Sequence, residues 1–138
     1  MLDPGNMAID GHGMGWVPLK SANQLAGVTP AGSGQLYAGC TIGGLSLPTW
    51  IAIDGSNNLW VTNAGNSYAL SELTNTAAAM SGTAGYQGGV LNNPSFLAID
   101  ASGDVWVSNS GGNSVTELIG VATPVVTPLS AQQPGTRP

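Results

Sequence analysis

Three aspartates, Asp10, Asp54 and Asp100, recur at intervals of 44 and 46 residues, and three tryptophans, Trp16, Trp60 and Trp106, repeat the same two intervals. A carboxylate can move a proton or hold a cation. Acid–base catalysis, however, needs unlike groups gathered at one locus, and one residue type returning at a fixed period points instead to a structural task. The expected task is the capping of a turn, with each Asp side chain accepting backbone N–H groups just downstream. One of the three offers more. Asp100, Ser102 and Asp104 place oxygens at positions 1, 3 and 5 of a short turn, the opening of a calcium-loop spacing. Gly103 falls too early for that loop and no downstream Glu completes it, so no cofactor is expected, and calcium at those three residues is the one alternative.

Other reactive side chains are scarce. His12 is the sole imidazole and sits among Gly11, Gly13 and Gly15, with no G-x-S-x-G elbow and no Ser-His-Asp arrangement around it. It reads as an exposed turn residue. Cys40 is the only cysteine, which excludes an intrachain disulfide and a cysteine metal cluster and leaves it as a small packing residue. The regular tryptophans are expected to pack between structural units. Trp50 differs, because its counterparts one repeat away are Asn6 and Phe96. It is the aromatic with the best claim to a binding role, together with Asn63 and Asn109, which fall at strand ends.

Composition narrows the functions further. Gly, Ser, Thr and Asn fill 56 of the 138 positions while charged residues make up only 7%. Those four residues favour tight turns between short strands. Lys20 and Arg137 are the only basic residues against a formal net charge of −5, so the chain lacks the cationic face that nucleic acid requires. No apolar run approaches the roughly 18 residues that span a bilayer. The first ten residues, MLDPGNMAID, lack the charged start and apolar stretch of a signal peptide. The chain opens inside a repeat, so a targeting segment upstream stays open.

The elements that must carry these residues follow from the repeat. LPTWIAIDGSNNLWVTNAG at 47–65 returns as NPSFLAIDASGDVWVSNSG at 93–111, with a weaker form, DPGNMAIDGHGMGWVP, at 3–18. Each unit predicts two strands around a turn: 50–53 and 59–63, then 96–99 and 105–109. Third strands are expected at 68–73 and 114–119, and candidates for a fourth, outer strand at 35–38, 77–80 and 125–129. The stretch 18–34 carries Pro18 and Pro30, so the first unit is expected to be irregular and to lack a clean third strand. Ile51 and Ile53 alternate with Trp50 and Ala52, and Leu97 and Ile99 with Phe96 and Ala98, which predicts sheets covered on both faces. Small Ala8, Ala52 and Ala98, at one repeat position, would let a neighbouring sheet come close.

Short antiparallel strands, two-sided burial and a period near 45 describe blades of a β-propeller. The expected fold is all-β: a partial propeller of about three four-stranded blades at roughly 4–47, 48–93 and 94–129, with a disordered tail at 130–138. The strings AIDGSNNLWVTNAGNS and AIDASGDVWVSNSGGNSVTEL resemble the NHL repeat, closest to its charge-poor bacterial branch, and ELIGVATPVVTPL resembles the way such propellers finish a last blade. Tyr68 and Val115 stand where that pattern usually has Arg, so the basic face of RNA-binding NHL proteins is not implied. A propeller typically closes with 4 to 8 blades, at least about 180 residues at this period. Three units therefore predict the C-terminal piece of a longer propeller, with a homodimer completing a six-blade ring and an open arc as alternatives.

The function expected from this reading is non-enzymatic: a module for ligand or protein binding or scaffolding, outside the cytoplasm in an extracellular or periplasmic setting. Its binding surface would be the loop face around the central channel, where Asn63 and Asn109 lie. The alternative is part of a propeller enzyme. Streptogramin lyases, lactonases and other hydrolases use related propellers, and the resemblance implies a His and acidic residues with a metal at the channel of such lyases. A chain with one His would leave most of that set outside itself. A purely structural surface repeat is the third possibility.

Overall fold

Each repeat becomes a small antiparallel sheet whose local chemistry is the same three times over. In this computed structural model residues 2–38, 43–65, 69–87 and 90–125 are described. The first sheet holds β1 (Ala8–Ile9), β2 (Gly15–Leu19), β3 (Gln24–Val28) and β4 (Gly34–Ala38), in that spatial order. The second holds β5 (Pro48–Ile53), β6 (Leu59–Asn63) and β7 (Leu70–Leu73), and the third β8 (Pro94–Ile99), β9 (Val105–Asn109) and β10 (Ser114–Leu118). Strand order follows chain order within every sheet, a plain up-and-down meander.

The alternation of the inner strands decides how the sheets stack. Ile51 and Ile53 turn toward the first sheet and pack with Trp16, Leu25, Leu45, Leu59, Val61 and Leu73. Trp50 and Ala52, on the opposite face of β5, join Trp60, Leu70, Leu97, Val105 and Val107 against the third sheet. The middle sheet is thus apolar on both sides because it is covered on both sides. The inner strands β1, β5 and β8 approach one another in series, which arranges the sheets radially as neighbouring blades.

Two expectations need correction. The stretch 18–34 does form a third strand, β3, and the first sheet is the four-stranded one. Its two prolines fall where no ladder bond is lost. Pro18 O accepts from Gly5 N, so its nitrogen faces the inner edge of the sheet, where β1 has shrunk to two residues and only an isolated Pro4–Leu19 bridge continues the pairing. Pro30 lies in the turn before β4, closed by Gly32 N on Thr29 O. The irregularity of this unit therefore sits in its inner strand.

The second correction concerns the outer strands. Among the described residues the second and third sheets have three strands each. The 77–80 candidate makes only a bridge, Ala79 to Leu73, with Met80 N on Glu72 O. Ala, Gly and Ser around it have little β-propensity. Of the 125–129 candidate, Val125 is outside any strand. Residues 126–129, Tyr68, Cys40 and the 130–138 tail lie outside the described residues.

Candidate functional site

At one end of each sheet stands the aspartate turn. Asp10 Oδ1 accepts His12 N at 2.9 Å and Met14 N at 3.0 Å. Asp54 Oδ1 takes Ser56 N and Asn58 N, both at 2.9 Å, and Asp100 Oδ1 takes Ser102 N at 2.8 Å and Asp104 N at 3.0 Å. The second carboxylate oxygen accepts an indole N–H six residues on: Trp16 at 3.1 Å, Trp60 at 3.3 Å and Trp106 at 3.1 Å. One side chain therefore closes the turn and orients the tryptophan of the next strand. The Trp106 indole, followed by the backbone N–H groups, holds the Asp100 carboxyl below its ordinary value. For Asp10 burial pushes upward, but the Trp16 indole and the amides of Met14 and His12 outweigh it, and the net shift is also downward.

These turns leave little for a metal. The Asp100 oxygens are taken by N–H donors, and Asp104 Oδ1 accepts Gly120 N at 2.6 Å. Among the described residues no group of three or more His, Cys, Asp or Glu is placed to hold an ion. Ser102 is exposed beside them. His12 is exposed in the first turn, its Nδ1 3.4 Å from Asn75 Nδ2.

At the opposite end the strand-final asparagines act as staples. Asn63 is buried; its Oδ1 accepts Ser46 N at 3.0 Å, and its Nδ2 donates to Ala69 O at 3.1 Å and Ser71 Oγ at 2.9 Å. Asn109 repeats this with Asn92 N at 3.1 Å and Thr116 Oγ1 at 2.9 Å. Each ties the segment entering its sheet to the third strand. The binding role expected for both finds no exposed amide here. Leu19 fills the same place in the first sheet.

Trp50 is where the inner strands converge. A cavity of about 430 Å³ is lined by Asn6, Lys20, Thr49, Trp50, Asn93 and Phe96, with Ser95 beside them. The indole of Trp50 meets the Phe96 ring edge-on at 4.7 Å between centroids. Asn6, at the matching repeat position, instead pairs with the neighbouring backbone: its Nδ2 donates to Ile51 O at 3.0 Å and its Oδ1 accepts Ile51 N at 2.8 Å. Bulges at Thr49 and Ser95 turn β5 and β8 here. The matching residue of the first unit is Gly5, whose absent side chain lets the Thr49 carbonyl approach. Lys20 is half-buried at this cavity. The repeat alignment singles out Trp50; Lys20, Asn93 and the hydroxyl pair reach the site through folding of three separate sheets.

A second, more apolar cavity of about 350 Å³ opens between the second and third sheets, lined by Trp60, Tyr86, Gln87, Leu91, Leu118 and Val121. Tyr86 stacks on Trp60 at 5.7 Å, and its hydroxyl donates to Glu72 Oε2 at 2.6 Å. That bond, then burial and the carboxylate's charge, raise the tyrosine to about 12. Tyr86 is one that the strand pattern misses, because it enters from a loop.

No family model matches the sequence, and no curated protein matches it. Among solved structures, a streptogramin B lyase is similar with a TM-score of 0.73 at 17% identity, over 95% of this chain and 42% of that one. Virginiamycin B lyase from Staphylococcus aureus is similar at 0.71 and 16% identity, over 87% of this chain and 39% of the lyase. A gluconolactonase from Xanthomonas campestris gives 0.66 and 15%, over 88% of this chain and 45% of that one. These neighbours are β-propellers. The chain is a partial β-propeller. At such identities the likeness concerns the fold alone, and the chain spans about two fifths of the length of those structures. The three sheets are then propeller blades, and the Trp50 cavity opens along their inner strands, where the propeller axis runs.

Proposed function

We propose that this chain is a ligand-binding part of a larger, exported NHL-type propeller, and that its site is the Trp50 cavity. The observation that carries the reading is the meeting of an ammonium, Lys20, an aromatic edge, Trp50 with Phe96, and the amide and hydroxyls of Asn93, Thr49 and Ser95 at one cavity built from three blades. Such a set suits a small flat molecule bearing a carboxylate, with the ring against the aromatics and the anion at Lys20. The charge-poor surface rich in Gly, Ser, Thr and Asn supports a place outside the cytoplasm. Titrating the isotope-labelled chain with benzoate, phenylacetate and benzyl alcohol tests the site. The two carboxylates should shift the amide signals of Trp50, Asn93 and Ser95, and Lys20→Gln should weaken them toward the alcohol. No movement at these residues with any probe would sink the reading.

The fold likeness to a lyase and a gluconolactonase supports a second reading, in which the chain forms part of a propeller enzyme. Its catalytic residues would lie mostly outside these blades. Turnover of a streptogramin or of gluconolactone by this chain would replace the binding reading.

A further inference from the structure

The third blade is bare on the face where its two predecessors are covered. Trp16 and Trp60 are each 0% exposed, because the following blade lies over them, whereas Trp106 is 40% exposed. Phe96, at the position of Trp50, is 55% exposed, and Val115 beside it 66%. Phe96, Ala98, Trp106 and Val115 together line a shallow depression of about 220 Å³. The register places them on one face: Ala98 pairs with Trp106, and Phe96 with Ser108, across from Val115.

The complementary surface is on the same chain. Ile53 packs into the core against the first blade and Ile99 into the core against the second, each the inner-strand isoleucine of its unit. The equivalent Ile9 has no preceding blade among the described residues and is 63% exposed, with Val28 also exposed on that face of the sheet. Within the chain this isoleucine face meets the tryptophan face twice, between the first and second blades and between the second and third. A second copy offers the partner face for a third meeting of the same kind. Two chains, each about two fifths of the neighbouring propellers' length, together span about four fifths of it, so a ring that they close is smaller than those propellers.

We propose that the larger propeller to which the reading above assigns this chain is completed by a second copy: the Trp106 face of one chain receives the Ile9 face of the other, so that two chains join head to tail twice and close a six-blade ring. The contact is heterologous, and closure with two-fold symmetry is what separates a dimer from a filament. Exposed apolar surface of this kind in a lone chain marks an association site.

Light scattering after size exclusion should give twice the 13.8 kDa chain mass. Ile9→Glu and Val115→Glu, each at an exposed side chain, should both halve that mass, and Ala98→Glu repeats the second test should Val115→Glu fail to fold. Near-ultraviolet circular dichroism from buried Trp16 and Trp60 checks folding. An equimolar mixture of Ile9→Glu with Val115→Glu should regain the dimer, because one intact pair of faces remains. A folded wild-type monomer up to the solubility limit overturns the proposal and leaves the face to another blade or protein. A dimer that survives Ile9→Glu but not Val115→Glu overturns it in favour of two like faces meeting. A mass that climbs without plateau overturns ring closure.

Discussion

The second and third blades carry nearly the same residues in the same register, yet one is buried on both faces and the other on one. Asp54 and Asp100 cap identical turns, and Trp60 and Trp106 donate to them at 3.3 and 3.1 Å. Only the surroundings differ: Trp60 lies under Tyr86 and the third blade, while Trp106 faces outward. A repeat sequence therefore writes the polar scaffold of each blade locally, and leaves the apolar part of its stability to whichever blade comes next.

That division is open to measurement. Trp60→Ala should cost about 3–5 kcal/mol, the range for emptying a packed aromatic site, read from urea midpoints. Trp106→Ala should cost clearly less, about 1–2 kcal/mol, at dilutions where the chain is single, since much of its surface is already in water. The difference should narrow as concentration rises if a second copy covers the face. Equal losses at every dilution would break the comparison.

The staples rank next. Asn63→Ala would strip partners from Ser46 N and the buried Ser71 Oγ, while Ala69 O keeps the backbone N–H of residue 63, and should cost about 2–3 kcal/mol. Asn109→Ala should cost about 1–2 kcal/mol: it lies on the covered Val105 and Val107 face, but one of the groups it abandons, Asn92 N, belongs to an exposed residue. Thermal midpoints of the two variants give the order directly, and a reversed order would show that the exposure of the abandoned partners does not govern these bonds.

Much of this architecture was legible in the residues themselves. The spacing of Asp54 to Trp60 and Asp100 to Trp106 placed β6 and β9, at 59–63 and 105–109, and the alternation of Ile51 with Trp50 anticipated a middle sheet covered twice. β3 was hidden by Pro18, whose harmlessness depends on an inner strand that stops short, a tertiary fact. Equal spacing also suggested equal burial for the three tryptophans, and Trp106 departs because its burial belongs to the neighbouring blade. At the candidate site, Trp50 stood out through its unlike counterparts, Asn6 and Phe96. Lys20 could not be placed beside it, because it lies 30 residues away in sequence and reaches the cavity only through blade packing.

Acid should expose a subtler difference. The Asp100 carboxyl is held below its ordinary value of 3.8 by the Trp106 indole first and backbone amides next. A carboxyl more acidic in the folded state stabilises the fold above its unfolded value and loses that contribution as pH falls through its folded one. The stability gap between the wild type and Asp100→Asn should thus stay level from neutral pH to about 5, and shrink below about 3.8. Asp10 should behave alike, because the Trp16 indole and the amides of Met14 and His12 outweigh its burial. Urea midpoints across pH would reveal a gap that widens in acid, and that sign would be wrong for this account.

The smallest effect lies where the second and third blades begin. Leu47 and Asn93 precede Pro48 and Pro94, and both adopt left-handed backbone, with φ of 47° and 50°. Asparagine accepts that conformation with little strain, whereas a leucine there places its Cβ against the following carbonyl. Leu47 is partly exposed, so its side chain gains only modestly from packing. Its backbone N–H, donated to Asn23 Oδ1 at 2.6 Å, would survive substitution. Leu47→Asn should therefore raise stability by about 1 kcal/mol, while Asn93→Leu should lower it by a similar amount and also break the bond from Asn93 Nδ2 to Ser110 Oγ. If Leu47→Asn instead destabilises the chain, the packing of this leucine outweighs its backbone strain, and the two blades differ at their entry as well as at their faces.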